Sequence, residues 1–144
     1  CLSGKNMQKE EALKIHPVAL AFVGDAVYSL YVREKLVKEA NESPGVYQRA
    51  AGAAVSAKGQ NALIEKVRDS FTEEEADIFR RARNAKKGTK AKSASVAEYN
   101  RSTGIEAVIG YLYLTENHAR VREILEKIDV SVQDGRVERK EFKP

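Results

Sequence analysis

A chain of 144 residues, 42% of them hydrophobic, can bury one core without a disulfide, and its single cysteine excludes an internal disulfide and a cysteine-based metal cluster. That cysteine usage suits a reducing cytoplasm, and no apolar run reaches the roughly 18 residues that a membrane span needs. We therefore expect one cytoplasmic domain over residues 9–132. We expect residues 1–8 to be disordered or artificially appended, and residues 133–144 to form a flexible tail.

The domain reads as a succession of helices. Pro17 suits the first turn of a helix whose apolar residues point in nearly all directions, which predicts a buried central helix. An N-cap serine before Pro44 and a capping box of Thr72 with Glu75 mark two later starts.

Further signals follow in the second half of the chain. Ser95 with Glu98 forms another capping box, a strongly apolar helix runs through residues 105–114, and Asn117 caps a final amphipathic helix. The β-like stretches are too brief to build a sheet, so the predicted fold class is all-α.

The positive charge is concentrated in one segment. No acid occurs between Asp77 and Glu98, and seven bases stand there although the net charge of the whole chain is only +4. Such a segment is the electrostatic footprint of a polyanion partner such as a nucleic acid, but a solvated, flexible loop explains it equally well. Its bases are Arg80, Arg81, Arg83, Lys86, Lys87, Lys90 and Lys92.

Two acids stand in the two most apolar helices. Asp25 is flanked by valines and alanine, and Glu106 lies between isoleucine and alanine. A buried carboxylate is costly unless a base or a cation pairs with it. Gly24 and Gly110 predict close approach of the two helices. Glycine weakens a helix by about 1 kcal/mol, and tight packing between helices is the usual feature that offsets this loss. Oxygen ligands without His or Cys favour Mg²⁺ or Mn²⁺.

A structural role remains open for both acids. Each acid could instead form a buried salt bridge, and the candidate partners are Arg33, Lys58 and Arg83. From the residues alone, the chain is a helical domain with a candidate magnesium site and a candidate nucleic-acid surface.

A family resemblance narrows this interpretation. Residues 17–28 read Pro-Val-Ala-Leu-Ala-Phe-Val-Gly-Asp-Ala-Val-Tyr and resemble the ribonuclease III signature, a glutamate-rich helix that ends in Phe-Leu-Gly-Asp-Ala. Residues 105–111 read Ile-Glu-Ala-Val-Ile-Gly-Tyr and resemble the family's second segment, Val-Glu-Ala-Leu-Ile-Gly. Residues 55–60 and 81–89 resemble the Mini-III branch, which consists of the catalytic domain alone.

The chain departs from the full-length ribonuclease III pattern at three positions. That pattern has two more glutamates in its first motif, where this chain has Val18 and Ala21, and an aspartate where this chain has Thr103. Of the acids in that pattern, Asp25 and Glu106 therefore remain. The absence of these further acids is itself a feature of the Mini-III branch.

The resemblance implies a magnesium-dependent endoribonuclease that cuts double-stranded RNA and leaves 5′-phosphate and 3′-hydroxyl ends. It implies that Asp25 and Glu106 are both the catalytic residues and the metal ligands, with Mn²⁺ as a substitute for Mg²⁺. It also implies a homodimer, and Tyr28, Leu30 and Tyr31 are expected either at the dimer contact or in the core.

RNA contacts must then come from this chain. We expect them from Lys58 and from the basic segment defined above, since lysine and arginine suit phosphates. Mini-III proteins mature large-subunit (23S) ribosomal RNA precursors, which the resemblance implies here too, and a ribosomal protein could present that substrate. Two rival functions are a non-catalytic helical module that binds double-stranded RNA, and a helical interaction domain with structural acids.

Overall fold

The computed structural model describes residues 1–87 and 95–137, and every regular element within these ranges is helical, which confirms the all-α prediction. Two 3₁₀ turns, at Arg68–Ser70 and Val132–Gly135, accompany the α-helices. The α-helices are α1 (Lys9–Ala12), α2 (Pro17–Glu39), α3 (Pro44–Val55), α4 (Ala57–Val67), α5 (Glu73–Asn84), α6 (Val96–Leu114) and α7 (His118–Leu125).

The helix starts follow local sequence signals. Both predicted capping boxes are confirmed, Thr72 with Glu75 at α5 and Ser95 with Glu98 at α6. The central helix α2 begins at a proline, and its N-cap is His16, whose Nδ1 accepts the first free backbone N–H at 3.1 Å. His16 therefore has a structural role.

The core forms where α2 crosses α6, and the glycines set the distance between them. A Cβ built on Gly24 would lie 1.7 Å from the backbone oxygen of Glu106, and one on Gly110 would lie 1.9 Å from the backbone oxygen of Leu20. No other residue fits this close backbone contact. The prediction that two helices approach at these glycines is confirmed.

The prediction that α2 is buried on all sides is wrong for a single chain. Leu20, Tyr28 and Val32 face the core, whereas Phe22 is 83% exposed and Leu30 is 51% exposed. Helices α6 and α3 pack against α2 and leave one side of it open. Tyr28 is therefore a core residue, while Leu30 lies on the open side.

Ordered structure also extends beyond the predicted domain limits. The backbone N–H of Met7 donates to the carbonyl of Leu114 at 2.9 Å, so the first residues lie against the end of α6. At the other end, Arg49 Nε donates to the carbonyl of buried Gly135 at 2.8 Å. The tail therefore does not begin at residue 133, and residues 138–144 lie outside the described residues.

Within the described parts of the chain, every helix is too short or too polar to cross a membrane.

Candidate active site

The α2–α6 crossing places two carboxyl groups side by side. Asp25 follows Gly24 on α2, and Glu106 is the residue whose backbone Gly24 touches. The carboxyl groups of Glu106 and Asp25 are within hydrogen-bonding reach of each other. Burial, this hydrogen bond and the negative charge of Asp25 together raise the pKa of Glu106 to about 9.

The two acids differ in exposure. The sequence predicted that both are buried, but Asp25 is exposed in the single chain and only Glu106 is largely enclosed. The alternative of structural salt bridges is not observed, because neither acid has an ion pair with any base in residues 1–87 and 95–137.

A third polar side chain, which the sequence analysis missed, reaches the same place. Gln60 is only 3% exposed, and its Nε2 donates to the carbonyl of Val55 at 3.0 Å. Its amide lies close to the Glu106 carboxyl and acts to lower the pKa of that acid. Its Oε1 is buried and has no hydrogen-bond partner among the described residues. The block at residues 55–60 contained Gln60, but its sequence could not show that the side chain points inward.

The donor set at the crossing consists of oxygens. Two carboxyl groups suit a hard cation such as Mg²⁺, which keeps several waters and needs few protein ligands. No set of three or more His, Cys, Asp or Glu residues is grouped for a metal within the ranges that the structure describes. The geometry therefore fits one hydrated divalent ion and does not resemble a zinc site.

Comparison with known proteins identifies the family. The profile described as "Ribonuclease III domain" matches residues 18–117, which include both carboxyl groups. This chain belongs to the ribonuclease III family.

Three relatives named Mini-ribonuclease 3 place the chain in that branch. The protein of Thermoanaerobacter sp. is 42% identical over 83% of this chain and 84% of its own length. That of Streptococcus pneumoniae is 44% identical over 77% and 88%, and that of Staphylococcus aureus 40% over 90% and 98%. A Fusobacterium nucleatum protein of known crystal structure superposes with a TM-score of 0.72 at 31% identity, over 78% of this chain and 90% of that one. As a Mini-III ribonuclease, the chain is an endoribonuclease.

The three departures from the longer ribonuclease III pattern supply no further carboxylate. Ala21 is buried and Val18 is partly buried on α2. Thr103 is 6% exposed, and its hydroxyl donates to the carbonyl of Tyr99 at 3.1 Å on its own helix. The acidic character of this ribonuclease III site therefore comes from Asp25 and Glu106.

The predicted RNA-contact residues are not equivalent. Lys58, Arg81 and Lys86 are exposed. Arg80 pairs with Asp77 on the same helix at 2.6 Å, and Arg83 lies 6.0 Å from the centre of the Phe79 ring. No described hydrogen bond or ion pair joins these cations to the carboxylate pair. Lys90 and Lys92 lie outside the described residues.

Lys87 has a structural use that the sequence did not reveal. Its Nζ donates to the carbonyls of Ala82, Arg83 and Ala85 at 2.8, 3.1 and 2.8 Å. These carbonyls lie at the end of α5, where backbone partners run out, so Lys87 acts as its C-terminal cap. Partial burial lowers the pKa of Lys87, and its three donors are committed to backbone.

An open apolar groove of about 410 Å³ lies beside Asp25. Its walls are side chains from α2, the N-terminal stretch and the end of α6. They comprise Leu2, Phe22, Val23, Asp25, Ala26, Val27, Leu30 and Tyr113.

Proposed function

We propose that this ribonuclease III-family chain is a magnesium-dependent endoribonuclease that cleaves double-stranded RNA and leaves 5′-phosphate and 3′-hydroxyl ends. One observation carries the proposal. Asp25 and Glu106, from two different helices, meet at a glycine-lined crossing, and among the described residues no base forms an ion pair with either of them. A divalent cation supplies the missing charge.

The chain's own part in the reaction is to fix geometry. Asp25 and Glu106 hold the cation, and the contact at Gly24 fixes the spacing of their helices. When bound, Mg²⁺ activates a water for in-line attack on the phosphorus and neutralises charge on the leaving 3′-oxygen. No side chain has to act as a nucleophile, which agrees with the capping role of His16.

RNA binding falls to the exposed cations. Lys58 on α4, Arg81 on α5 and Lys86 just after α5 are exposed, and Arg80 and Arg83 lie on α5 with Arg81. A-form RNA offers phosphates and 2′-hydroxyls more than base edges, so such contacts hold the duplex without reading its sequence. Binding should weaken steeply with salt.

A second copy of the chain is the proposed occupant of the apolar groove. Phe22 and Leu30 expose apolar surface that a soluble monomer rarely leaves open, and Asp25 lies within the same groove. A two-fold contact through this face would place two carboxylate sites near one shared surface. Each site would then cut one strand of the duplex.

The proposed physiological substrate is a large-subunit (23S) ribosomal RNA precursor in the cytoplasm, which a ribosomal protein could present. The support is the similarity to proteins named Mini-ribonuclease 3, at 40–44% identity for the three described above.

The test compares nucleic acids and cations. The purified protein is incubated with an end-labelled RNA duplex, its separate strands, and a DNA duplex of the same sequence, in Mg²⁺, in Mn²⁺ or with a chelator. Cutting of the RNA duplex alone, on both strands and only with a divalent cation, is the expected result. Equal cutting with chelator present would overturn the proposal.

A second candidate function is a helical module that binds double-stranded RNA without cutting it. The observation in its favour is the absence of carboxylates at Val18, Ala21 and Thr103. Tight binding of the duplex without cleavage in Mg²⁺ or Mn²⁺, including on a ribosomal precursor helix, would establish this alternative.

A further inference from the structure

Gln60 is a buried polar side chain with only half of its hydrogen-bonding capacity used. It is 3% exposed, its nitrogen has a partner in the carbonyl of Val55, and its oxygen has none among the described residues. Burying an amide oxygen without a hydrogen-bond partner destabilises the folded state, and such atoms are rare in folded proteins, so this one calls for an explanation.

The corner between α3 and α4 aims Gln60 inward. Ser56 caps α4 by accepting the N–H of Gly59 at 3.1 Å. A Cβ on Gly59 would lie 2.4 Å from the carbonyl oxygen of Ala53, so the corner closes tightly only with glycine there. This turn leaves Lys58 in solvent and Gln60 in the interior.

The amide connects this corner to the acid on α6. Its nitrogen donates to Val55 at the end of α3. The next residue, Asn61, donates to the carbonyl of Glu98 on α6 at 3.0 Å, so α4 lies against α6 and the Gln60 amide comes close to the Glu106 carboxyl. The free oxygen stays in the same enclosed region, where it can accept a hydrogen bond.

A neighbouring residue shows what a purely structural link looks like. Tyr28 donates its hydroxyl to the carbonyl of Ala54 at 2.9 Å, one residue before the partner of Gln60. Tyr28 leaves no buried side-chain atom unpartnered, so structural anchoring of the α3 end does not require the orphan oxygen of Gln60.

We propose that Gln60 is a positioning residue of the two-carboxylate site. Its nitrogen holds Glu106 in the orientation that binds a cation, and its Oε1 accepts a hydrogen bond from a water in the cation's hydration shell. The inference rests on the proposed function, because it assumes that Asp25 and Glu106 bind the ion. Outer-sphere groups of this kind typically contribute 10- to 100-fold to metal affinity.

The test measures cation binding in the absence of RNA. Wild type, Gln60→Met and Tyr28→Phe are titrated with Mn²⁺, with affinity from calorimetry and integrity of the fold from circular dichroism. Methionine keeps the length of the side chain but removes both polar atoms. We expect Gln60→Met to weaken Mn²⁺ binding by roughly 10- to 100-fold and Tyr28→Phe to leave it within about twofold.

Two results would overturn the inference. One is a folded Gln60→Met protein with Mn²⁺ affinity equal to that of wild type, and the other is an equal loss in Tyr28→Phe, which would indicate general loosening of the α3–α4 corner. If Gln60→Met does not fold, Gln60→Asn keeps both polar atoms but withdraws them by one methylene, and the same loss is expected.

Asp25→Asn and Glu106→Gln separate this inference from the proposed function. If both abolish Mn²⁺ binding and Gln60→Met does not alter it, only the role of Gln60 is wrong. If neither variant alters binding, the metal site itself is wrong, and the role of Gln60 is overturned with it.

Discussion

Ionisation of the Glu106 carboxyl is unfavourable in the folded chain. Burial and the facing Asp25 carboxylate raise its pKa to about 9, against an ordinary value of 4.5. The folded state therefore binds a proton that the unfolded state has released over most of the range between those values. In that window the stability of the cation-free protein falls as pH rises, and below pH 4.5 the effect is absent because both states are protonated.

The first prediction is that Glu106→Gln raises the melting temperature of the cation-free protein at pH 8. The neutral amide removes the cost of ionising a buried carboxyl, so the gain should shrink toward zero as pH is lowered to about 4.5. Thermal unfolding with chelator at several pH values measures it. Adding Mg²⁺ should then stabilise wild type alone. A Glu106→Gln protein that melts below wild type at pH 8 would refute this account.

Lys86 and Lys87 are neighbours with different tasks. Lys86 is exposed, whereas Lys87 donates to three carbonyls at the end of α5. The sequence could not separate them, because which lysine folds back depends on the turn that follows Asn84.

The second prediction uses this pair as matched variants. Lys87→Gln should lower the free energy of unfolding by about 0.3–1 kcal/mol, because a cation that caps the α5 carbonyls is lost. Lys86→Gln should leave stability unchanged and weaken binding of an RNA duplex. Denaturant unfolding and a filter-binding assay measure the two effects. Equal losses of stability in both variants would show that Lys87 has no special role.

At the scale of the elements, the crossing of α2 and α6 decides whether the site exists. Gly24 and Gly110 each contact backbone of the other helix, and that contact places Asp25 next to Glu106. This part was predictable, since an acid and a glycine recur together in the two most apolar helices.

The third prediction concerns this crossing. Gly24→Ala should destabilise the protein by at least about 1–3 kcal/mol, although alanine is the better helix former, because its Cβ would meet the Glu106 carbonyl. Gly52→Ala is the control, since Gly52 lies within α3 with nothing within 4 Å of an added Cβ. The control should gain up to about 1 kcal/mol. Denaturant unfolding measures the free energy of unfolding of both variants. A Gly24→Ala protein as stable as the control would show that Gly24 does not contact the Glu106 backbone.

Local and non-local signals differ in what they reveal. The capping boxes at Thr72 and Ser95 were readable because all of their partners lie within three residues. The inward orientation of the Gln60 side chain could not be predicted from the sequence, because it depends on the angle between α3 and α4 and on the position of α6. The open side of α2 was missed for a similar reason, since an apolar face has the same sequence whether core or a second chain covers it.

At the scale of the whole molecule, the open side of α2 is an apolar face that stays exposed to solvent in the described single chain. Phe22 and Leu30 project from it, and Asp25 lies in the same groove. If a second copy covers it, assembly and catalysis are linked, because the contact would enclose the exposed member of the carboxylate pair.

The fourth prediction is that Phe22→Glu converts a dimer into a monomer and slows cleavage of duplex RNA. Burying an unpaired charge in the centre of an apolar contact costs more free energy than the contact contributes. Val37→Glu is the control, because Val37 is 61% exposed on the same helix but outside the groove. Size-exclusion chromatography with light scattering measures the mass. A dimeric Phe22→Glu protein, or equal dissociation by the control, would rule out this face.

The most direct test of the central claim is single-turnover cleavage of a labelled RNA duplex in Mg²⁺ by wild type, Asp25→Asn and Glu106→Gln. Loss of an outer-sphere group costs 10- to 100-fold, so loss of a ligand should slow cleavage by at least about 100-fold in each variant. Duplex affinity should stay within about twofold of wild type, since the exposed cations are untouched. Cleavage at the wild-type rate by either variant would contradict the assignment of the active site to this carboxylate pair.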